Sequence, residues 1–186
     1  MGDALAGKVG PRAGLVGHSL GGKLAILAAA KDSRFGALYL LDPVDGSMSC
    51  NATDCPNAKD ALPLPVPIAF LGETLDSAGS LGQACAPTAQ NYAALYGAAG
   101  PPALQVTVNG ASHMSFLDDL SKCGSACAPC KSATADHAKV LDLARGLEAA
   151  FFERHLRGDA RYDAWLTGAL GKARWVNPGL ATVASK

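Results

Sequence analysis

Apolar residues come in short unbroken runs separated by small and polar residues, with helical patterns between the runs. Residues 13–17 (AGLVG) form a brief apolar stretch that predicts a buried strand, and residues 19–31, rich in Ala and Leu, predict a helix. Residues 35–41 (FGALYLL) run apolar without a break up to Asp42, the pattern of a strand covered on both faces. Residues 66–71 (VPIAFL) read as a third such strand, closed by Gly72. Residues 104–108 alternate Leu, Val, Val with Gln and Thr, the period of a half-buried strand. Residues 88–98 predict a helix that Pro101-Pro102 brings to a stop. The strongest helix spans 134–157, where Val140, Leu143, Ala144, Leu147, Phe151 and Leu156 share one face. Gly158 suits a left-handed cap beyond it. Residues 43–64 and 109–133 read as loops, and the tail (RYDAWLTGAL) as a short turn or helix. Strands alternating with helices predict an α/β fold, a mostly parallel sheet with helices on both faces, in a single domain over residues 1–186.

Composition narrows what such a domain could do. Nearly half of the 186 residues are hydrophobic, enough for a substantial core. Sixteen basic residues balance sixteen acidic ones, so nothing advertises nucleic acid as a partner. No apolar run approaches the roughly 20 residues of a membrane span. The first twelve residues lack the apolar centre of a signal peptide.

The candidate chemistry lies in GHSLGG, residues 17–22, between the first strand and its helix. Glycine costs a helix about 1 kcal/mol relative to alanine, so two glycines at a helix start need a reason. A Gly-x-Ser-x-Gly elbow supplies one: the strand turns sharply into the helix and presents the serine at the corner. On that reading Gly17 and Gly21 remove colliding side chains, Gly22 lets the helix pack closely, and Ser19 is the nucleophile. The backbone N–H of Leu20 faces the spot where an oxyanion would form. The plain alternative is a glycine-rich turn with Ser19 as a helix cap.

A serine hydroxyl needs a base, and the base needs an acid to orient it. His113, just past strand 104–108 in NGASHMSF, is the preferred base. His18 lies inside the elbow and is expected to point away from the serine hydroxyl. His137 and His155 lie on the long helix. Chain order in this arrangement is serine, acid, histidine, which leaves Glu73 and Asp76 in GETLD and Asp42 and Asp45 in LLDPVDG. Asp76 is preferred. The other three have plainer roles as loop charges or turn caps.

Cys50, Cys55, Cys85, Cys123, Cys127 and Cys130 fall in loop-like stretches. Paired loop cysteines fit disulfides and an oxidising compartment, secreted or otherwise. Cys50 with Cys55, two of the 123/127/130 group together, and Cys85 with the third is the simplest arrangement. The less simple reading is zinc held by the three clustered thiolates with His137 as a fourth ligand. No metal and no cofactor is expected.

Taken together, these stretches resemble the α/β-hydrolase superfamily, and within it the branch of chlorophyllases and cutinase-type polyester hydrolases. GHSLGGK and LLDPVDG are similar to chlorophyllase stretches. GETLDS resembles the cutinase segment that carries the acid, which favours Asp76 over Glu73, with Asp45 or Asp42 second to it. VNGASHMSFLDD is similar to both groups around the catalytic histidine, and FFERHLRGDARYDAWLTG to the last helix and tail of the cutinases. The resemblance implies metal-free hydrolysis of carboxylic esters, small or lipid-like, through an acyl-enzyme with Ser19, His113 and Asp76. An acyltransferase, or a weakly active or non-catalytic binding protein of the same fold, are the alternatives. In the family the nucleophile follows more than a hundred residues. At residue 19 it implies the C-terminal part of such a hydrolase, without the first strands, without the loop giving a second oxyanion donor, and with an uncovered sheet edge. Cutinases carry a stacking aromatic after the second strand. Pro43-Val44 stands there instead, which leans the resemblance toward chlorophyllases.

Overall fold

The computed structural model describes residues 10–46, 55–78 and 84–186. One sheet has the order β1 (Ala13–His18), β2 (Phe35–Leu41), β3 (Ile68–Glu73), β4 (Ala103–Val108) and β5 (Ala181–Ser185). The first four strands run parallel, and β5 pairs antiparallel with β4. Helices α1 (Leu20–Lys31) and α2 (Tyr92–Ala98) cover one face, and α3 (His137–Leu156) covers the other. The expected α/β architecture is therefore present.

Side chains alternate between the two faces of a strand, and this explains why β2 reads as continuously apolar. Ala37 and Tyr39 join the core under α3 with Leu143, Leu147 and Phe151. Leu38 and Leu40 join Ile26 of α1 and Leu95 of α2 on the opposite side. Residues of β3 divide in the same way, Ala69 and Leu71 against Ile68 and Phe70. Burying each large aliphatic or Phe side chain stabilises the fold by about 1.5–3 kcal/mol. The phenol of buried Tyr39 donates to the Ala144 carbonyl of α3 at 2.7 Å, so the ring carries no unpaired polar group into the core.

Element ends depart from expectation for local reasons. Strand β3 starts after Pro67, which has no N–H for the ladder, although its carbonyl accepts from Leu38 N at 3.0 Å. Helix α2 starts at Tyr92 because the Asn91 side chain caps Ala93 N and Ala94 N. Helix α3 starts at His137 because Asp136 is extended, at ψ 119°, and its carboxylate caps Lys139 N; the N–H groups of Thr134 and Ala135 before it go to the Gly110 carbonyl. Three short 3-10 turns, one of them His113–Phe116, occupy the expected loop at 109–133. Strand β5 was not expected: of its five residues only Ala181 is buried, so no apolar run announces it.

Candidate active site

Four consecutive parallel strands each deliver one site residue from the C-terminal end. Ser19 follows β1, Asp42 follows β2, Asp76 lies three residues past β3 and His113 five past β4. Ligands of parallel α/β sheets gather at this end.

The strand-to-helix corner is sharp. Ser19 has φ 55° and ψ −123°, a backbone region that side-chain-bearing residues avoid. The corner is locked on both sides. Ser19 N donates to Leu41 O at 3.0 Å, and Ser19 O accepts from Gly22 N at 3.0 Å and Val44 N at 3.2 Å. A Cβ on Gly17 would run into the backbone of Gly21, and one on Gly22 into Pro43. Gly21 itself faces open space, so the expected steric need at that position is absent. Leu20 is the first residue of α1, where a helix leaves its N–H groups unpaired.

His113 is 3% exposed and stands between two partners. Its Nε2 lies 2.8 Å from Ser19 Oγ, and its Nδ1 lies 2.6 Å from Asp42 Oδ2. With the ring neutral, Nδ1–H donates to the carboxylate and Nε2 accepts from the serine hydroxyl. Asp42 is fully buried at φ 41°, its N–H donating to Leu71 O at 2.7 Å. Ser19 and Asp42 are the two non-glycine residues with positive φ among the described residues.

The carboxylate on the imidazole is thus Asp42's and not the preferred Asp76's. Asp76 is equally buried but serves backbone: Oδ2 accepts from His113 N at 2.7 Å and Oδ1 from Lys131 N at 2.6 Å. Asp45 also faces away from the ring. It accepts from Ala58 N at 2.5 Å and Lys59 N at 3.0 Å, with the buried Lys23 ammonium 3.5 Å off. Glu73 accepts from Leu75 N and, at 2.7 Å, from Asp76 N. The carboxylates therefore form a relay of supports: Glu73 holds the turn bearing Asp76, Asp76 holds the His113 backbone, and Asp42 holds the His113 ring.

Burial sets the charge preferences here. Desolvation pushes Asp42 above the usual carboxylate range, opposed by the hydrogen bond from His113. Desolvation, then the charge of Asp42, pushes Glu73 up to about 7. His18, which the sequence reading turns away from the serine hydroxyl, donates from Nε2 to the His113 carbonyl at 2.8 Å, and the two rings lie 4.7 Å apart. Burial, and then the neighbouring His113, lowers His18 to about 4, so it stays neutral. Nothing in the sequence beyond its adjacency to Ser19 pointed to this brace.

Cys85 pairs with Cys130 and Cys123 with Cys127 as disulfides. Cys50, and with it the expected Cys50–Cys55 bridge, lies outside the described residues. His137, the candidate fourth zinc ligand, instead directs Nε2 to the Leu117 carbonyl at 2.8 Å. The Cys85–Cys130 bridge sits one residue from two contacts on Asp76: Ala86 N donates to Asp76 O at 3.2 Å, and Lys131 N to its carboxylate.

The family model described as chlorophyllase matches residues 5–168. This chain belongs to the chlorophyllase family. Ser19, Asp42, Asp76 and His113 all lie inside the span matched by the chlorophyllase-family model, and β5 lies beyond it. Among solved structures, a ferulic acid esterase from Streptomyces cinnamoneus matches with TM-score 0.55 and 23% identity, over 80% of this chain and 42% of that one. The likeness concerns the fold, which is of the α/β-hydrolase type, and the chain spans less than half the length of that esterase. A search of curated proteins finds no match.

Proposed function

We propose that this chain carries the catalytic centre of a carboxylic-ester hydrolase acting through an acyl-enzyme. The observation that supports it most is the unbroken hydrogen-bonded line from Ser19 Oγ through the His113 ring to the Asp42 carboxylate. Ser19 Oγ attacks the ester carbonyl while its proton passes to His113 Nε2. The carbonyl π electrons move onto oxygen, which the Leu20 N–H at the start of α1 stabilises. The tetrahedral species collapses, and His113 returns the proton to the departing alcohol. Water repeats the sequence on the acyl-serine and releases the acid. Asp42 fixes the tautomer and favours the imidazolium that forms at each step. Asp42 rather than Asp76 takes the acid's role in this reading, because its carboxylate meets the ring.

Membership of the chlorophyllase family and the esterase fold neighbour support an ester substrate. The absence of a stacking aromatic at Pro43-Val44 favours a lipid-like or small ester over an aromatic polyester. The paired cysteines favour an oxidising compartment. The test is labelling with a fluorophosphonate probe followed by peptide mapping, alongside turnover of short p-nitrophenyl esters. Label on Ser19 with turnover abolished by S19A is the expected outcome; a folded sample that neither labels nor turns over ester refutes the reading.

A further inference from the structure

Among the described residues, three buried side-chain polar atoms lack a hydrogen-bond partner: Asp42 Oδ1, Glu73 Oε1 and Trp175 Nε1. The first two belong to neighbouring strand ends. Leu41 pairs with Leu71 across β2 and β3, and Asp42 N donates to Leu71 O, which brings Asp42 alongside Gly72 and Glu73. The ring of Tyr92 lies over Gly72, and its hydroxyl bonds Thr107 Oγ1 at 2.8 Å, so this corner is sealed by α2 and β4. Asp42 is 0% and Glu73 3% exposed.

Two ionised carboxylates here would leave two buried acceptors with no donor, an arrangement that costs more than either hydrogen bond would gain. One proton resolves it. The proton cannot sit well on Asp42, whose other oxygen takes the Nδ1–H of His113 and is best as a carboxylate. Glu73 can carry it: Oε2 still accepts from Leu75 N and Asp76 N as a carbonyl oxygen, and Oε1–H becomes a donor. We propose that Glu73 is a positioning residue that holds a proton and offers it to Asp42 Oδ1, directly or through one enclosed water, so that the carboxylate on His113 keeps its orientation. Burial first, and the charge of Asp42 second, displace Glu73 upward, and like charges sharing a site drive one member to the neutral form. The ionisable groups packed around the pair are Asp76, Tyr92 and His113; no Lys or Arg is among them, and the His113 ring is hydrogen-bonded to Asp42 and not to Glu73.

This assignment rests on the ester-hydrolase reading only for its catalytic consequence, so the test has two arms. In the first, wild type, E73Q, D42N and the double variant are melted from pH 5 to pH 9. A group whose folded pKa is raised stabilises the fold at low pH and ceases to as pH rises through the folded value. E73Q should therefore melt with wild type at pH 5 and roughly 5 °C or more above it at pH 9. In the D42N background that gap at pH 9 should narrow, because the charge of Asp42 adds to the effect of burial on Glu73. A gap independent of pH, or equal in both backgrounds, overturns the proposal. In the second arm, on a p-nitrophenyl ester, E73Q supplies an amide N–H to Asp42 and should rescue kcat to within about threefold of wild type. E73A should lose about tenfold or more in kcat with KM little changed, the scale of an unsatisfied buried acceptor. Equal losses in E73Q and E73A argue against it. If wild type hydrolyses nothing, the catalytic reading fails, while the melting arm still decides whether Glu73 shares its proton with Asp42.

Discussion

Ser19 and Asp42 hold backbone conformations that side chains resist, and His113 lies between them. The roles of the two buried aspartates are separable. D42N should leave folding nearly intact but lower kcat by up to about 10⁴-fold, because an amide cannot favour the correct imidazole tautomer. D76N removes one acceptor from two buried backbone N–H groups and should instead destabilise by about 1–3 kcal/mol, with a smaller fall in kcat. Urea melts and kinetics on the same preparations separate these outcomes; a D76N enzyme with the larger kcat loss would return the acid's role to Asp76. His18 gives a pH signature. Its pKa lies near 4 when folded and near 6.5 when unfolded, so the unfolded chain binds more protons in that window. Its contribution is full above about pH 6.5 and is lost as pH falls toward 4, by up to about 3 kcal/mol. The stability difference between wild type and H18N should therefore change across that window and be flat above it. Ser19 and His113 were legible because the chemistry fixes residue type within a local motif. The acid was not: Asp42 and Asp76 both follow a strand by a few residues, and only the turn of Asp42 at φ 41° decides which carboxylate meets the ring.

Elements buried on both sides were the easiest to read, since β2 has to be apolar at every position to satisfy α3 below and α1 above. Helix starts were less legible because periodicity does not show where the backbone turns: Asp136 is extended and caps Lys139 N, so α3 opens at residue 137 and not at 134. Strand β5 is held by hydrogen bonds to β4 rather than by burial, and a hydropathy pattern cannot report that. The Cys85–Cys130 bridge closes a 45-residue separation and flanks two of the three backbone N–H groups that Asp76 accepts from, those of Ala86 and Lys131. Replacing both cysteines with alanine should cost about 2–4 kcal/mol in stability. It should also lower kcat while leaving KM nearly unchanged, as should mild reduction of wild type. Unchanged kcat after verified loss of this bridge would detach it from the His113 support.

Across the molecule, the sheet acts as the alignment frame. Ladder pairings run unbroken from β2 to β5; β1 ends level with β2 and β3 with β4, the second pair reaching two residues further. Because neighbouring positions on a strand point to opposite faces, dropping Ala69 from β3 would turn Phe70 into the core under α3 and Leu71 into the core under α1 and α2, while Ile68 stayed in place. Such a deletion should abolish folding, as read by circular dichroism and a thermal scan. Two or three extra residues in the connection after α1, around Asp32 and Ser33, should change melting and turnover little. The connectors on the rim opposite Ser19 are therefore free to be redrawn, whereas strand length is not, for the ladder sets where each chain leaves the sheet and the short turns beyond it then bring serine, imidazole and carboxylate together.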